Sequence, residues 1–499
     1  MSLKSILTHT IKYLLGLSKV RLVQAIEVLR DRYFELESEN KILKEEIGLY
    51  KAEEEKQKIK AVNQKANQPT SKQPEWELKG VGNDGYGKRK GRGKKGRLGA
   101  GNKAKNRSIT HQETAKVERC KNCGADLTNE PVLESKNIRI IEDIPPVQTR
   151  PQVIEVTQEK KFCHNCKKVV TAQSELALPK SDFGLNTTVK TVYLWVGLCL
   201  PFTRISSYLT TFFGQTISTA GLSSHVIRIA KIMDPVYGEI LDIIKSAGIL
   251  HADETGWRVN GKNWWLWVFG TLDAAYYTID NSRGKDVVRK TMGGIFTGVL
   301  VVDGWRAYMS LFCEQQTCMA HVLRKIRKLH KAFPDLVCVY RYYVKLRKIL
   351  KDGERLQLQR AGLGEDIFIR RRNKLHQRLD ALQCWDNPNN VLQGIIKIVD
   401  RQRPRILTFV DNEGVACHNN YAEYLIRIGV LKRKVSFGSK SAQGASAYAV
   451  LLSIYTTCRL RNISFTDFLH QSLKHNIRFG KPMLIKEYIE KKETLAMAA

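Results

Sequence analysis

The order of apolar, acidic and basic segments between residues 248 and 330 constrains the fold of this chain more than any other feature. Three strand-like runs rich in β-branched and aromatic residues come first, and a short helical segment follows them. Another apolar strand and a basic helix complete the region. Strands and helices in this order pack as a sheet with helices against its faces. We therefore predict an α/β core in this region.

Two aspartates occupy comparable positions in the predicted strands. Asp253 lies in GILHADETGWRV, and Asp303 directly follows the valines of GVLVVDGWRAY. Both fall where a central strand is expected to meet solvent, and the order of elements fits a mixed sheet of the ribonuclease H kind. Carboxylates on adjacent strands can bind two Mg²⁺ ions about 3.5–4 Å apart, which serve in-line displacement at a phosphodiester. One such acid alone is weak evidence, because most strand-end carboxylates simply solvate a loop.

A third carboxylate is needed to hold the second ion, and we assign this role to Glu423. It lies at the start of the helix predicted in HNNYAEYLIRIGVLKRKVSFGS. Glu254 directly follows Asp253, but alternation along a strand points it to the opposite face of the sheet. We therefore interpret Glu254 as a structural residue.

Four other polar residues have two interpretations each. His321 and Arg324 share one face of a predicted helix, where they either contact phosphate or DNA or belong to a solvated basic helix. Asn419 and Asn420 precede Glu423, and they either orient metal ligands or cap the Glu423 helix. The sequence leaves these alternatives open.

The charge of the chain points to a polyanionic partner. The 499 residues include 82 Lys or Arg and 49 Asp or Glu, which gives a formal net charge of +33. Such an excess repels itself unless a polyanion lies nearby, so nucleic acid is expected, with a ribosome-associated or membrane-surface protein as the alternative. The N-terminal segment lacks the features of a secretory signal, and no stretch reaches the roughly 18 apolar residues of a spanning helix. We expect a cytoplasmic protein with no membrane partner.

A heptad repeat near the N-terminus is typical of a leucine zipper. Its leucines are Leu22, Leu29, Leu36 and Leu43, and its a-type positions are Ile26, Tyr33, Asn40 and Ile47. A single Asn among apolar a positions fixes the register and favours two parallel strands. We predict a homodimer through a coiled coil over residues 19–51; an amphipathic helix packed on its own domain is the alternative.

Residues 58–118 lose this periodicity and are predicted to form a flexible basic linker. The segment holds 16 Lys or Arg and 5 Asp or Glu, a net charge of +11. Its densest part consists of Lys88, Arg89, Lys90, Arg92, Lys94, Lys95 and Arg97. We interpret these seven side chains as phosphate-binding, whereas a solvated tail is the simpler alternative.

Two CxxC pairs indicate a zinc site. Cys120 with Cys123 and Cys163 with Cys166 are separated by 39 residues that contain the strand formers NIRIIEDI and QVIEVTQE. Each pair presents two thiolates from a tight turn, and β-hairpins bring such pairs together around tetrahedral Zn²⁺, as in a zinc ribbon. We predict one structural Zn²⁺; four unrelated buried cysteines are the alternative.

The segment from residue 185 to 247 has a helical pattern. Within it, FFGQTISTAGLSSHVIRIAKIM is similar to two helices joined by a glycine-containing turn. The segment is either a helix-turn-helix that binds DNA or a helical subdomain that braces the core.

The segments HADETGWRVNGKNWWLWV, VVDGWRAY, CMAHVLRKIRKL and HNNYAEYLIRIGVLKRKVSFGS resemble, in order and spacing, the insertion-sequence sixty-six family of bacterial DDE transposases. The resemblance extends over most of the chain and includes the C-terminal YAVLLSIYTTCRLRNISFTDFL. It implies that Asp253, Asp303 and Glu423 are the catalytic triad. His418 and Tyr424 depart from the family, which commonly has a small or acidic residue and an arginine at these positions.

The same resemblance implies the cofactors and partners. Mg²⁺ or Mn²⁺, two ions per active site, would serve the triad. Element ends and target sites in double-stranded DNA would be the substrates, and accessory proteins of the same element are further candidate partners. Residues 331–410 would be the insertion that this family carries between the second Asp and the Glu.

The sequence thus predicts a multidomain α/β protein. A helical region with the zipper (1–57), the basic linker (58–118), a zinc ribbon-like CxxC/CxxC domain (119–180) and the helical segment (181–247) precede the core. The ribonuclease H-like core comprises residues 248–330 and 411–480, with the helical insertion (331–410) between them and a C-terminal tail (481–499) after them.

The leading functional prediction is a transposase that cleaves DNA with water and joins strands with a 3′-hydroxyl, with no covalent protein intermediate and no nucleotide cofactor. The zipper, zinc-binding domain and basic linker would also suffice for a non-catalytic DNA-binding regulator. A host-adopted nuclease of the same fold is a third hypothesis, since fold alone does not separate these functions. The complete triad favours an enzyme.

Overall fold

The computed structural model describes residues 150–165, 167–383 and 390–498, together with residues 118–119 and 122–129 and separate positions between 23 and 57. Contacts divide the chain into two compact units. One comprises residues 1–74, 155–206 and 217–499, and the other comprises residues 75–154 and 207–216. The seven predicted DNA-binding residues of the linker, and Cys120 and Cys166, lie outside the described residues.

A small hairpin forms around the second CxxC pair. Strand β1 (Lys160–Cys163) pairs in antiparallel fashion with strand β2 (Lys168–Thr171). Residues 151–159, which we expected to contribute to a strand, carry none, and the Val153 side chain is 93% exposed. Pairing starts only where Lys160 faces Thr171, so the strand-forming composition of QVIEVTQE does not by itself produce a ladder.

Four helices precede the central sheet: α1 (Leu185–Val196), α2 (Phe202–Phe213), α3 (Thr219–Ile232) and α4 (Asp234–Lys245). Gly214, which follows α2, has a φ of +62°, the left-handed conformation that ends many helices. Ser218 caps α3 by accepting a hydrogen bond from the backbone N–H of Gly221. The buried face of α3 includes Leu222, Val226 and Ile229, as expected for a helix that braces a core.

A five-stranded sheet forms the centre of the first unit. Its strands are β3 (Ile249–Val259), β4 (Lys262–Gly270), β5 (Ala275–Asp280), β6 (Ile295–Val302) and β7 (Phe312–Thr317). Their spatial order is β5-β4-β3-β6-β7. Strands β3, β4 and β5 are antiparallel neighbours, whereas β6 is parallel to both β3 and β7. The predicted mixed α/β architecture is confirmed, with β7 as a strand that we did not predict.

Helices connect and flank these strands. Helix α5 (Lys285–Met292) joins β5 to β6, as predicted, and the basic helix α6 (Met319–Ala332) follows β7. Helices α7 (Val337–Leu358), α8 (Glu365–Gln383), α9 (Asn390–Gln402) and the single turn α10 (Thr408–Asp411) come next. The chain then enters α11 (Asn420–Ser436), which contains Glu423.

Helix α11 lies close to the sheet because two glycines leave room for it. A side chain at Gly270 of β4 would collide with Leu425 of α11, and one at Gly429 of α11 would collide with Leu266 of β4. The absence of both side chains therefore lets the backbones of α11 and β4 approach each other.

Helix α12 (Ala442–Leu460) is buried along most of its length and packs against β5, at the edge of the sheet. The Ser453 hydroxyl accepts a hydrogen bond from the Tyr277 N–H at 2.8 Å, and the Thr457 hydroxyl accepts one from the Ala275 N–H at 3.1 Å. Helix side chains thus satisfy backbone groups that an edge strand otherwise leaves unpaired. Helices α13 (Phe465–Phe479) and α14 (Ile485–Ala498) complete the described chain.

No helix in the described part of the chain combines the length and the apolar character needed to cross a membrane.

A buried lysine connects α11 to the helices that precede the sheet. The Lys432 ammonium donates to the backbone oxygens of Trp195 at 3.1 Å and Leu200 at 2.8 Å. It also lies 5.1 Å from the centre of the Trp195 ring, within the range of a cation–π contact. Burial lowers the pKa of Lys432 to about 7. The lysine therefore supplies donors to one carbonyl group in the last turn of α1 and one just beyond it.

We expect Lys432→Ala to lower the free energy of unfolding by about 1–3 kcal/mol, because it leaves buried carbonyl oxygens without donors. Thermal and urea unfolding of the purified protein would measure the change. Lys434→Ala, at an exposed position of the same helix, is the matched control and should leave stability unchanged. Equal stability of the two variants would contradict this role for Lys432.

Candidate active site

The parallel pairing of β3 with β6 brings the two predicted catalytic aspartates to the same level of the sheet. Ile249 faces Val299, and His251 faces Val301. Asp303 directly follows β6, and continuing the same register by two residues brings it beside Asp253 in β3. Neighbouring strands are about 4.8 Å apart, so the two carboxylates are close neighbours.

Each aspartate is held by a backbone N–H that follows it. Asp253 Oδ1 accepts from the Glu254 N–H, and Asp303 Oδ1 accepts from the Trp305 N–H, both at 2.8 Å. Gly304, between Asp303 and Trp305, has a φ of +86°, which favours glycine. A Cβ atom there would also lie 3.1 Å from the Thr317 methyl group. The turn after β6 is therefore tightly specified.

Glu423 reaches the site from the first turn of α11, and Asn419 fixes where this helix begins. The Asn419 amide nitrogen donates to the Ala252 carbonyl at 2.7 Å, and its oxygen lies 3.2 Å from His251 Nδ1. Its side chain makes no cap hydrogen bond to α11. Of the two interpretations, Asn419 thus orients the helix relative to β3, one residue before Asp253. Asn420 is the first residue of α11.

His321 and Arg324 lie near these carboxylates on the first turns of α6. His321 Nε2 is 3.8 Å from Glu423 Oε1, and the side chain is 27% exposed. The Nη1 atom of Arg324 and the Nδ1 atom of His321 are buried, with no hydrogen-bond partner among the described residues. These two residues therefore do not belong to a fully solvated helix face.

The electrostatics of the site reflect its crowded negative charge. Burial, followed by the charges of Glu254, Asp303 and Glu423, raises the pKa of Asp253 well above its usual range. Burial lowers the pKa of His321, whereas the negative charge of Asp303 opposes that shift. The charges of Asp303 and Glu423 thus act on Asp253, and the charge of Asp303 acts on His321.

These residues suit a divalent cation by their chemistry. Carboxylate oxygens are the ligands that Mg²⁺ and Mn²⁺ prefer, and a cation would offset the mutual repulsion that raises the pKa of Asp253. Among the described residues, no three His, Cys, Asp or Glu side chains already converge as a metal cluster. Glu423 instead faces His321, so its carboxylate would turn toward the aspartates to join them as a ligand.

Two other acids that could replace Glu423 are engaged elsewhere. Asp411 Oδ1 lies 3.2 Å from His376 Nε2 and 3.8 Å from Arg372 Nε, both on α8. Glu413 is 80% exposed and lies 4.0 Å from Arg360. Neither is grouped with Asp253 and Asp303, which favours Glu423 as the third carboxylate.

The predicted zinc ligands are only partly described. Cys123 is exposed in a turn near the bridge between Arg119 and Asp126, and Cys163 is half-buried at the end of β1. Both positions adjoin turns, as CxxC pairs require. The zinc site itself stays a prediction.

Glu254 has partners that the sequence did not reveal. Arg283 donates to Glu254 Oε1 through Nε at 3.0 Å and Nη2 at 2.7 Å, and the Tyr308 hydroxyl donates to Oε2 at 2.6 Å. With both oxygens bonded, burial still raises the pKa of Glu254 to about 7. The sequence signal was slight: Arg283 is one arginine in a loop, and Tyr308 follows the second aspartate by five positions.

Comparison with known proteins identifies the family of this chain. A model of the Transposase IS66 family matches residues 180–447, a range that includes Asp253, Asp303 and Glu423. Three curated relatives from Sinorhizobium fredii (strain NBRC 101917 / NGR234), each named as an uncharacterized protein, are each 24% identical to this chain.

The matches to these relatives are partial. The protein y4qI aligns over 270 residues, which are 47% of this chain and 49% of the relative. The protein y4hP aligns over 362 residues, 65% of each chain, and y4jD over 359 residues, 64% of this chain and 68% of the relative. The chain thus spans about half to two thirds of the length of these relatives. Because the family model covers more than half of the chain, the protein belongs to the IS66 family of transposases.

Proposed function

We propose that this protein is a DNA transposase that cleaves phosphodiester bonds at the ends of an insertion sequence and joins those ends to target DNA. The observation that carries the proposal is the register of β3 with β6, which sets Asp253 beside Asp303 within the matched family region. Glu423 interacts with the same site from α11. Three carboxylates from two adjacent strands and one helix are a suitable ligand set for two-metal phosphoryl chemistry.

The order of the strands supports a ribonuclease H-like catalytic core. Three antiparallel strands come first in the chain, and β6 and β7 then join in parallel on the other side of β3. Helices α7 to α10 separate this first part of the core from the helix of Glu423, in agreement with the proposed insertion at residues 331–410.

In the proposed mechanism, Asp253, Asp303 and Glu423 hold the metal ions. Bound Mg²⁺ or Mn²⁺ supplies a Lewis acid for the attacking and leaving oxygens of an in-line displacement. His321, whose Nε2 atom lies 3.8 Å from Glu423, and Arg324, three residues further along α6, bind the scissile phosphate in this proposal. Asn419 keeps the Glu423 helix at a fixed distance from β3.

The N-terminal segments supply the remaining proposed interactions. Described positions between residues 23 and 57 are helical, and the zipper side chains of Ile26, Tyr33 and Leu36 are 45–62% exposed. Exposed apolar residues at heptad spacing suit a second copy of the same helix. The two chains of such a dimer would each bring a basic linker to the DNA, where Lys and Arg neutralise phosphates.

We expect Asp253→Asn, Asp303→Asn and Glu423→Gln each to abolish strand cleavage and to leave binding of the element ends largely intact. Each change removes charge that holds a metal ion and alters little of the shape. Cleavage of a labelled end fragment with Mg²⁺ and a mobility-shift titration would measure the two activities. Asp411→Asn is the matched control, because Asp411 pairs with α8 instead. Near-normal cleavage by Glu423→Gln would refute its place in the triad.

We expect one Zn²⁺ per chain, bound by Cys120, Cys123, Cys163 and Cys166. The metal should contribute on the order of 10 kcal/mol of folding free energy to that segment. Elemental analysis should show loss of zinc from Cys123→Ser and no loss from Cys338→Ser, a half-buried cysteine of α7 outside the two pairs. A wild-type protein that folds with a zinc content near zero would contradict the site.

We expect the double substitution of Leu29 and Leu36 by Pro to dissolve the dimer, because proline breaks the helix at two zipper positions. Formation of paired-end complexes should then weaken more than binding of a single end. Sedimentation and mobility-shift titration would measure both effects. A dimer of unchanged strength in this variant would show that dimerisation comes from another part of the chain.

A further inference from the structure

A fully bonded ion pair lies directly behind the candidate active site. The Glu254 side chain is 1% exposed and follows Asp253 in β3. Its Oε1 atom accepts two hydrogen bonds from Arg283, and its Oε2 atom accepts one from Tyr308. A bidentate pair of this kind fixes the plane and the position of the guanidinium group.

The same guanidinium is stacked between two indole rings. The Arg283 Cζ atom lies 4.5 Å from the centre of the Trp265 ring in β4 and 4.1 Å from the centre of the Trp305 ring. The Trp305 indole N–H also donates to the Arg283 carbonyl at 3.1 Å. Arg283 thus joins strands β3 and β4 to the turn that follows β6.

Trp305 in turn holds the second aspartate. Its backbone N–H donates to Asp303 Oδ1, and Gly304 provides the left-handed residue between them. Trp305 is 36% exposed, so burial of its own ring does little to fix this turn. Its contacts with Arg283 tie the turn to β3 and β4, together with the hydrogen bond from Tyr308 to Glu254.

We propose that Arg283, anchored by Glu254, is a positioning residue that sets the Asp303 carboxylate relative to Asp253 through the stacked Trp305. The inference rests on the proposed function, because it assigns the two aspartates to a shared metal site. Glu254 and Arg283 contact neither DNA nor metal in this arrangement. They act through the Asp303 turn, so their loss weakens metal binding while end binding is retained.

Mn²⁺ binding to the full-length protein without DNA tests this role directly. Arg283→Lys keeps the positive charge but loses the planar fork and the stacking. We expect it to raise the Mn²⁺ dissociation constant by about 10–100-fold, the range typical of groups that orient metal ligands. Electron paramagnetic resonance of free Mn²⁺ measures the affinity, and strand cleavage by the variant should recover in part as Mn²⁺ is raised.

Substitutions at two further positions make the test specific. Trp305→Phe retains a ring over the guanidinium and should bind Mn²⁺ more tightly than Trp305→Ala. Arg461→Lys alters another arginine–carboxylate pair, with Asp273 at 2.7 Å, and should leave Mn²⁺ affinity unchanged. Unchanged affinity in Arg283→Lys would overturn the proposal. So would a loss of affinity that merely accompanies a lower melting temperature, since that outcome assigns the network to folding alone.

The Asp253→Asn variant separates this inference from the proposed function. If Asp253→Asn binds Mn²⁺ as tightly as the wild type, the carboxylate site itself is wrong and both proposals fail. If Asp253→Asn loses Mn²⁺ and Arg283→Lys does not, only the positioning role fails.

Discussion

The parallel pairing of β3 with β6 is the constraint on which the rest of the site depends. A shift of this register would move the end of β6, and with it Asp303, along β3 and away from Asp253. The register is fixed on both sides, because β3 also pairs with β4 from His251 to Val259 and β6 pairs with β7. The last four residues of β6, from Val299 to Val302, are all buried, so both faces of this end of the strand are covered.

Helix α11 brings the third carboxylate to this fixed pair, and three separate contacts determine its position. Asn419 bonds its first turn to β3, Gly429 allows its middle to approach β4, and Lys432 bonds its last turns to the end of α1. Contacts at both ends and the middle leave the helix little freedom to slide or rotate. The Glu423 carboxylate can therefore change its position in the site only when its side chain changes rotamer.

The sequence predicted the parts of the fold that depend on local patterns. Strands β3 to β6 follow apolar runs, and Asp303 directly follows the end of one of them. Asp253, which we expected at the end of a strand, lies inside β3 because that strand continues to Val259. Strand β7 was missed because its central and later residues include Glu314, Gln315 and Gln316, which do not resemble a buried strand. The Gln316 side chain is fully buried in the fold, where it donates to the Ile406 carbonyl and accepts from the Phe409 N–H. Such partners lie some ninety residues away, so no local pattern reveals them.

Asp253 and Glu254 are adjacent in sequence, yet their side chains have different partners in the fold. Glu254 points to the face where Arg283 and Tyr308 bond both of its oxygens, which gives it a structural partner of opposite charge. Burial and then the charges of Glu254, Asp303 and Glu423 raise the pKa of Asp253, so Glu254 acts on the carboxylate cluster even though it is ion-paired. Consecutive residues of one strand thus supply an acid that is ion-paired within the protein and an acid whose charged neighbours are carboxylates, a combination that a cation would offset. Because side chains alternate along a β-strand, two consecutive acids can have these different partners. Asp253 can therefore belong to a binding site while Glu254 belongs to its scaffold.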